Sequence, residues 1–121
     1  MGKNSRFHDY VVHDLLSETQ GVTSRAMFGG YGIYKNGLIF AIIVGEKLYF
    51  KVDDSNKSDF ASHGMKPFRY KMPSGKPYEM SYWEVPEEIM ENREELKIWV
   101  ERAVFASQNA KRQKSKKRQK E

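Results

Sequence analysis

The chain has 121 residues, of which 39% are apolar and 31% charged, a composition that suits one globular domain and excludes a disordered chain. It has no cysteine, which excludes a disulfide framework, a thiolate metal site and a cysteine nucleophile and favours a reducing, cytoplasmic location. The formal charge of +5 is uneven, because residues 111–121 hold seven Lys or Arg and one Glu, whereas residues 1–110 hold 14 basic and 15 acidic side chains.

This uneven charge assigns any nucleic-acid affinity to the C-terminal segment rather than to the domain. We therefore predict one domain over residues 1–110 and a disordered basic tail over residues 111–121. The longest apolar run, Leu38 to Val44, is much shorter than the roughly 20 residues that span a bilayer. No membrane interaction is expected.

The first half of the sequence predicts a helix followed by four antiparallel strands. Apolar residues between Ser5 and Thr19 recur on one side of a 3.6-residue helix. A strand follows over Thr23 to Met27. The pair Asn36-Gly37 is a strong hairpin signal between the second and third strands, and Gly45-Glu46 separates the third strand from the fourth.

The second half predicts a short crossover helix, a second hairpin and a long final helix. Asp54 or Ser55 is expected to cap the short helix, which buries Phe60 and Ala61. Residues 66–72 and 78–83 then form the hairpin. The fold class is thus α+β with two layers, an antiparallel sheet with packed helices in the order α-β-β-β-β-α-β-β-α.

The final helix is predicted to begin at Asn92, since Glu95 stands three residues further on, as in a capping box. One face of this helix carries an apolar stripe, made of Leu96, Trp99, Val100, Ala103, Ala106 and Ala110. Ile98 and Phe105 lie on the opposite side, two turns apart. They predict either a contact patch for a second copy or another protein, or a face that Val85 to Met90 covers within the monomer; the sequence leaves both open.

The residue patterns of common catalytic and metal sites are missing. His8 and His13 are five residues apart rather than the four that put two ligands on one helix face. No serine stands in a Gly-x-Ser-x-Gly elbow, and Asp53-Asp54 is followed by capping residues rather than by a calcium loop. Gly29 to Gly32 lacks the spacing of a dinucleotide loop and indicates a bulge or a close backbone approach instead. We expect no enzymatic activity, no metal and no cofactor.

Aromatic residues alternate with basic ones along the predicted strands. Such a pattern predicts either cross-strand packing or a platform on which bases stack. Packing is the favoured interpretation, because the domain as a whole is nearly neutral. The eight aromatics are Tyr31, Tyr34, Tyr49, Phe50, Tyr70, Tyr78, Tyr82 and Trp83.

Five blocks of sequence carry a family resemblance: RAMFGGYGIY at 25–34, FA at 40–41, LYFKVD at 48–53, PFRY at 67–70 and MSYWEVP at 80–86. In residues, order and spacing they resemble the N-terminal domain of the TfoX/Sxy family over about residues 5–108. The resemblance implies a two-layer fold similar to secretion chaperones. It also implies a bacterial regulator of natural competence that acts as a positive co-regulator of transcription, with no known enzymatic activity. Larger members carry a second helical domain, in place of which this sequence has its basic tail.

The family blocks suggest a shared surface, with maintenance of the fold as the alternative explanation. Its candidate residues are Arg25, Phe28, Gly29, Gly30, Lys51, Tyr82 and Trp83. The basic tail is a candidate for non-specific nucleic-acid contact through Lys111, Arg112, Lys114, Lys116, Lys117, Arg118 and Lys120. We therefore predict a regulatory protein that binds a protein partner through its domain. The alternative is a chaperone-like interaction module whose tail has no nucleic-acid role.

Overall fold

The computed structural model describes residues 3–27, 29–71, 75 and 77–119, apart from the side chains of residues 3–5, 70, 71, 77–79 and 114–119. The helices are α1 (Lys3–Tyr10), α2 (Lys57–Ser62), α3 (Glu87–Met90) and α4 (Arg93–Gln119), and a π-helical turn, Val11–Leu15, follows α1. The strands are β1 (Val22–Met27), β2 (Gly30–Lys35), β3 (Leu38–Val44), β4 (Lys47–Lys51), β5 (Pro67–Lys71) and β6 (Pro77–Glu84).

The six strands form one antiparallel sheet in the order β1-β2-β3-β4-β6-β5. The first four strands make a meander, α2 crosses over, and the β5–β6 hairpin joins the meander through β6. Helices pack against the sheet, so the α+β class and the predicted order of elements are confirmed.

The predicted hairpin turn is confirmed at Asn36 and Gly37, which connect β2 to β3 with φ angles of +51° and +84°. A two-residue turn with both φ angles positive matches the twist of the flanking strands, and Asn and Gly tolerate this conformation best. The turn fixes the start of the β2–β3 ladder, with Lys35 opposite Leu38.

One face of the sheet, here called the helix face, carries the core. Cross-strand neighbours share a face, and the pairings of Ile33 with Ala41, Ala41 with Phe50, and Phe50 with Trp83 run along it. The ladder shifts register between Ile33 and Tyr34, where β3 has one extra residue. Ile33, Ala41 and Phe50 are fully buried under the helices.

The helix α4 closes this core along β3 and β4. Its predicted stripe is buried from Leu96 to Ala106, with Trp99 only 4% exposed. The Trp99 ring meets the Phe60 ring edge-on at 4.6 Å, which joins α2 to α4. The predicted cap is confirmed, because the backbone N–H of Glu95 donates to the side-chain oxygen of Asn92 at 3.2 Å.

The first helix differs from the prediction. It is α-helical only to Tyr10 and then widens into the π-helical turn, in which the N–H of Leu16 donates to the carbonyl of Val11 at 2.9 Å. The extra residue in this turn lets Val11, Leu15 and Leu16 all reach the core. A strict 3.6-residue period could not have predicted it.

The N-terminus of α2 also differs from the prediction, since the residue at its N-cap makes no side-chain capping hydrogen bond. Asn56, not Asp54 or Ser55, stands at its N-cap, and the Asn56 side chain donates to the carbonyl of Lys51 at 3.0 Å and accepts from the N–H of Asp53 at 2.8 Å. Phe60 is buried as predicted, whereas Ala61 is exposed. Asn56 rather than Asp54 or Ser55 stands at the start of α2 because its buried side chain satisfies backbone groups at the end of β4.

In the structure, residues 111–119, which the sequence analysis assigned to a disordered tail, continue α4 to Gln119. Lys, Arg and Gln are good helix formers, and a helix that is already nucleated adds them one bond at a time. Lys111, Arg112 and Gln113 are nevertheless exposed. Residues 120 and 121 lie outside the described residues. Within the described residues, no helix is both long and apolar enough to cross a membrane.

Two glycines of β2 differ in what surrounds them. A Cβ added at Gly30 would lie 2.0 Å from the backbone oxygen of Ile43, a contact that only backbone movement could relieve. A Cβ at Gly32 would meet the ends of the Met27 and Ile39 side chains at 2.9 and 3.0 Å, and these can rotate away. The predicted close backbone approach is therefore confirmed at Gly30.

This contrast gives a matched pair of substitutions. Gly30→Ala should lower the free energy of unfolding by about 3 kcal/mol, because it forces β2 away from β3. Gly32→Ala should cost less than about 1 kcal/mol, since only side-chain ends must move. Urea denaturation of both variants measures the difference, and equal losses would contradict the assigned contact.

Candidate binding surfaces

The second face of the sheet, here called the open face, has no helix over it in the part of the chain that the structure describes. Its residues alternate with those of the helix face. Ladder partners place Arg25 on β1 opposite Gly32, and Lys51 on β4 opposite Tyr82 on β6. Tyr49 lies between Ile42 and Glu84 on the same face. Aromatic and basic side chains thus share one surface.

Two cations on the open face lie over aromatic rings. The guanidinium carbon of Arg25 is 5.8 Å from the centre of the Tyr34 ring, and Nζ of Lys51 is 5.2 Å from the centre of the Tyr82 ring. Contacts of this kind hold a cation against an apolar surface while leaving its outer side accessible. Arg25 is exposed and Lys51 half-buried, so the positive charge lies at the surface of the face.

Tyr82 is only 8% exposed although no helix covers it in the described chain. Burial, followed by the nearby Tyr34 hydroxyl, raises the pKa of Tyr82 to about 12. Burial and the negative charge of Glu84 also raise the pKa of Tyr49. The Tyr49 ring meets the Phe68 ring at 5.0 Å. Two aromatic contacts, Tyr49 with Phe68 and Tyr82 near Tyr34, thus lie on the open face.

The structure brings together three of the seven residues predicted as a shared surface, namely Arg25, Lys51 and Tyr82. Trp83 lies on the helix face, with its ring 6.4 Å from the Phe60 ring, and therefore belongs to the core layer. The other three are Gly29, in the β1–β2 turn with φ of +76°; Gly30, packed against β3; and Phe28, outside the described residues.

The aromatic residues do not form one platform for bases. Phe50 and Trp83 are in the helix layer, as is Tyr31, whose ring lies 4.1 Å from the imidazole of His8. Tyr34, Tyr49 and Tyr82 are on the open face, and the side chains of Tyr70 and Tyr78 lie outside the described residues. Packing accounts for the three in the helix layer.

A second surface runs along α4 on the side away from the sheet. Ile98 is 41% exposed and Phe105 is 47% exposed, so the alternative in which Val85 to Met90 covers them is wrong. That segment instead turns inward, where Val85 and Ile89 join the core. The two apolar side chains remain open to a partner. We call this surface the outer ridge and define it by Glu94, Ile98, Glu101, Phe105 and Arg112.

Ion pairs hold α4 on both sides of the outer ridge. Arg93 pairs with Asp14 and Arg102 with Asp59. Lys97 lies 3.6 Å from Glu18. Exposed pairs contribute little stability each, and the buried stripe rather than these pairs sets which side of α4 faces outward.

The basic segment is the helical continuation of α4 and is here called the basic extension, residues 111–119. Lys111 and Arg112 are exposed, and the Arg112 guanidinium donates to the Asn109 side chain at 3.3 Å. By sequence, the extension also includes Lys114, Lys116, Lys117 and Arg118, while Lys120 lies outside the described residues. A helix with six cations in nine positions is a dense positive charge at one end of the molecule.

One polar constellation was not foreseen from the sequence. The Nε2 atom of His8 is 2.7 Å from Oγ of Ser24, and Nδ1 of His8 is 3.1 Å from a carboxylate oxygen of Asp9. This order of groups is that of a Ser-His-Asp triad. Ser24, however, lies within β1 rather than on a strand-to-helix turn that would expose a nucleophile. The contact fastens α1 to the edge strand of the sheet.

Asp53 and Asn109 link α4 to the end of β4. Burial acts to raise the pKa of Asp53, but hydrogen bonds from Ser55 and Asn109 and the charge of Lys51 outweigh it, so this pKa is lowered. Asn109 donates to Asp53 at 3.0 Å and so ties α4 to the end of β4. In the described ranges, no group of three or more His, Asp or Glu side chains could hold a metal ion.

The raised pKa of Tyr82 predicts a loss of stability at alkaline pH. Because the folded state holds the phenol proton more tightly than the unfolded state, the stabilisation is complete below pH 10 and is lost as pH rises through 12. The loss should reach about 3 kcal/mol. Tyr82→Phe should remove this part of the pH dependence, and Tyr10→Phe, at an exposed tyrosine, should keep it. Urea denaturation at a series of pH values from pH 9 upward, on the order of one pH unit apart, measures the free energy of unfolding of both variants. If this free energy falls with pH as steeply in Tyr82→Phe as in the wild type, the assignment is contradicted.

Comparison with known proteins agrees with the blocks described above. No curated protein matches the chain. The family profile described as the TfoX N-terminal domain matches residues 14–107, which is well over half of the chain and includes β1 to β6, α3 and most of α4. The chain therefore belongs to the TfoX N-terminal domain family.

Proposed function

We propose that this protein is a non-enzymatic regulatory binding protein of the TfoX/Sxy type. It binds a protein partner through its domain, contacts nucleic acid non-specifically through the basic extension, and acts in the cytoplasm as a co-regulator of transcription. Control of competence is the process that the family resemblance favours. No cofactor is required for this role.

The observation that carries the proposal is the open face. Arg25, Lys51 and Tyr82 come from three different strands and from three separate family blocks, yet they share one surface. Neither cation belongs to the buried core cluster, although the charge of Lys51 also lowers the pKa of Asp53. A face with accessible charge over an aromatic floor suits a protein partner that has an acidic segment.

The polar constellation at His8 supports a binding role rather than catalysis. Acyl transfer needs donors placed for the developing oxyanion and a pocket for the substrate beside the nucleophile. Ser24 points from a regular strand toward α1, and its hydroxyl is used to hold His8. The grooves along α4 are lined by other residues.

The basic extension supports contact with nucleic acid. Cations that neutralise phosphates release condensed counterions, and this gives affinity without sequence preference. The alternative is a chaperone-like interaction module in which the extension has no nucleic-acid role. A salt titration separates the two.

The open face is tested by reversing its charge. The double variant Arg25→Glu with Lys51→Glu places negative charge against the acidic segment of the partner. It should therefore abolish capture of the partner, which is measured with the tagged protein in lysate of the native host. Lys57→Glu, at an exposed position of α2, is the control and should capture as wild type does. Circular dichroism should show folded protein in all three. Equal capture by the charge-reversed protein would contradict a binding role for this face.

The extension is tested on a double-stranded DNA of arbitrary sequence. A variant in which every cation of this segment is replaced with Gln keeps helix-forming residues but removes the charge. The replaced residues are Lys111, Arg112, Lys114, Lys116, Lys117, Arg118 and Lys120. The wild-type affinity should fall with salt with a log-log slope of about −0.9 for each phosphate contacted, and the substituted protein should lose both affinity and slope. A chain ending at Ala110 is a second comparison. Unchanged affinity in both variants would favour the interaction module without a nucleic-acid role.

A further inference from the structure

The outer ridge of α4 has opposite charge at its two ends. At the start, in α3 and the first turn of α4, every acidic side chain is exposed: Glu87, Glu88, Glu91, Glu94 and Glu95. At the other end, Lys111 and Arg112 are exposed and four further cations follow in sequence. Ile98 and Phe105 stand between the two ends.

We infer that the outer ridge binds the outer ridge of a second copy of this chain, with the two α4 helices antiparallel. In this arrangement the acidic end of each copy faces the basic end of the other. A parallel pair would instead place acid against acid and base against base. The same surface is therefore self-complementary, which is the requirement for a two-fold symmetric interface.

The spacing along the helix supports the same pairing. Ile98 and Phe105 are seven residues, or about 10 Å, apart on one line of the helix, and Arg112 continues that line by another seven. When Ile98 packs against Phe105 of the partner subunit, Arg112 of the partner subunit comes within about one helical turn of Glu94. Apolar contacts then lie at the centre and ion pairs at both ends.

The basic extension gives a second reason for a partner at this place. It continues α4 beyond the buried stripe, with exposed residues at its start. The extension is stabilised by propagation from α4, and a tertiary contact would add to that stability. The acidic end of a second copy provides both a surface and neutralising charge along this stretch.

The contact is small, and this sets the expected strength. Each copy contributes two large apolar side chains with a polar rim, so we expect a reversible dimer that forms with rising concentration rather than an obligate one. Sedimentation equilibrium of the full chain at low salt should show a monomer–dimer equilibrium. High salt should shift it toward monomer, since the end contacts are exposed ion pairs.

The apolar centre is tested by Ile98→Glu with Phe105→Glu. The dimer dissociation constant should rise by about tenfold or more, while the helicity stays at the wild-type level because both positions are exposed. Thr23→Glu adds a carboxylate at an exposed position of β1, away from α4, and should leave the equilibrium unchanged. A wild-type protein that stays monomeric into the millimolar range would overturn the proposal.

The orientation is tested by exchanging charges. Glu94→Arg alone and Arg112→Glu alone should each raise the dissociation constant several-fold, and the two together should restore it, because the exchanged residues then face each other across the antiparallel pair. A double variant weaker than either single variant would overturn the antiparallel arrangement. The assay contains no nucleic acid and no other protein, so its outcome is independent of the function proposed above.

Discussion

The whole arrangement depends on the packing of α4 against the middle of the sheet. The buried stripe from Leu96 to Ala106 lies along β3 and β4, and the contact between Trp99 and Phe60 joins it to α2. Large buried side chains of this kind contribute roughly 2 kcal/mol each relative to exposure. Because the helices are all used on one face, the opposite face of the sheet and the opposite side of α4 are both left for other contacts.

The two uncovered surfaces are built in different ways. The open face holds its charges over aromatic rings, with Tyr82 almost fully buried beneath Lys51 and near Tyr34. Its shape is therefore fixed before any partner arrives, which lowers the entropic cost of binding. The outer ridge offers long side chains on a rigid helix, and its specificity comes from the order of charges along the axis. A pre-shaped face suits a defined partner, whereas a charge-ordered ridge suits a second copy.

Local features of the fold could be predicted because neighbouring residues determine them. Asn36-Gly37 sets its turn by its own φ preferences, and Asn92 caps α4 through a contact three residues away. Helical geometry alone put Ile98 and Phe105 opposite the buried stripe, whereas their exposure is known only from the structure. The α4 stripe was equally visible, since its periodicity is regular.

Features that depend on distant contacts could not be predicted. The alternation of a strand says that Tyr82 and Trp83 point to opposite faces, but only the pairing with β4 decides which of them faces the helices. The bond from His8 to Ser24 joins residues 16 positions apart, and no local pattern indicates it. The helical state of residues 111–119 was missed for another reason: their polarity was taken as a sign of disorder, although their helix propensity is high and α4 is already formed before them.

The two proposals meet at the basic extension. In the first proposal Arg112 contacts a phosphate of nucleic acid, and in the second it pairs with acidic residues of a second copy. It cannot make both contacts at once. Binding of nucleic acid and pairing of α4 are then linked through the same charges, so each weakens the other by mass action. If both proposals hold, the acidic end of one copy would compete with nucleic acid for the basic extension of another copy, at an effective concentration set by the protein itself. Such competition would confine nucleic-acid contact to conditions in which the domain is dilute or its outer ridge is otherwise occupied, and the order of charges along one helix would then set both equilibria.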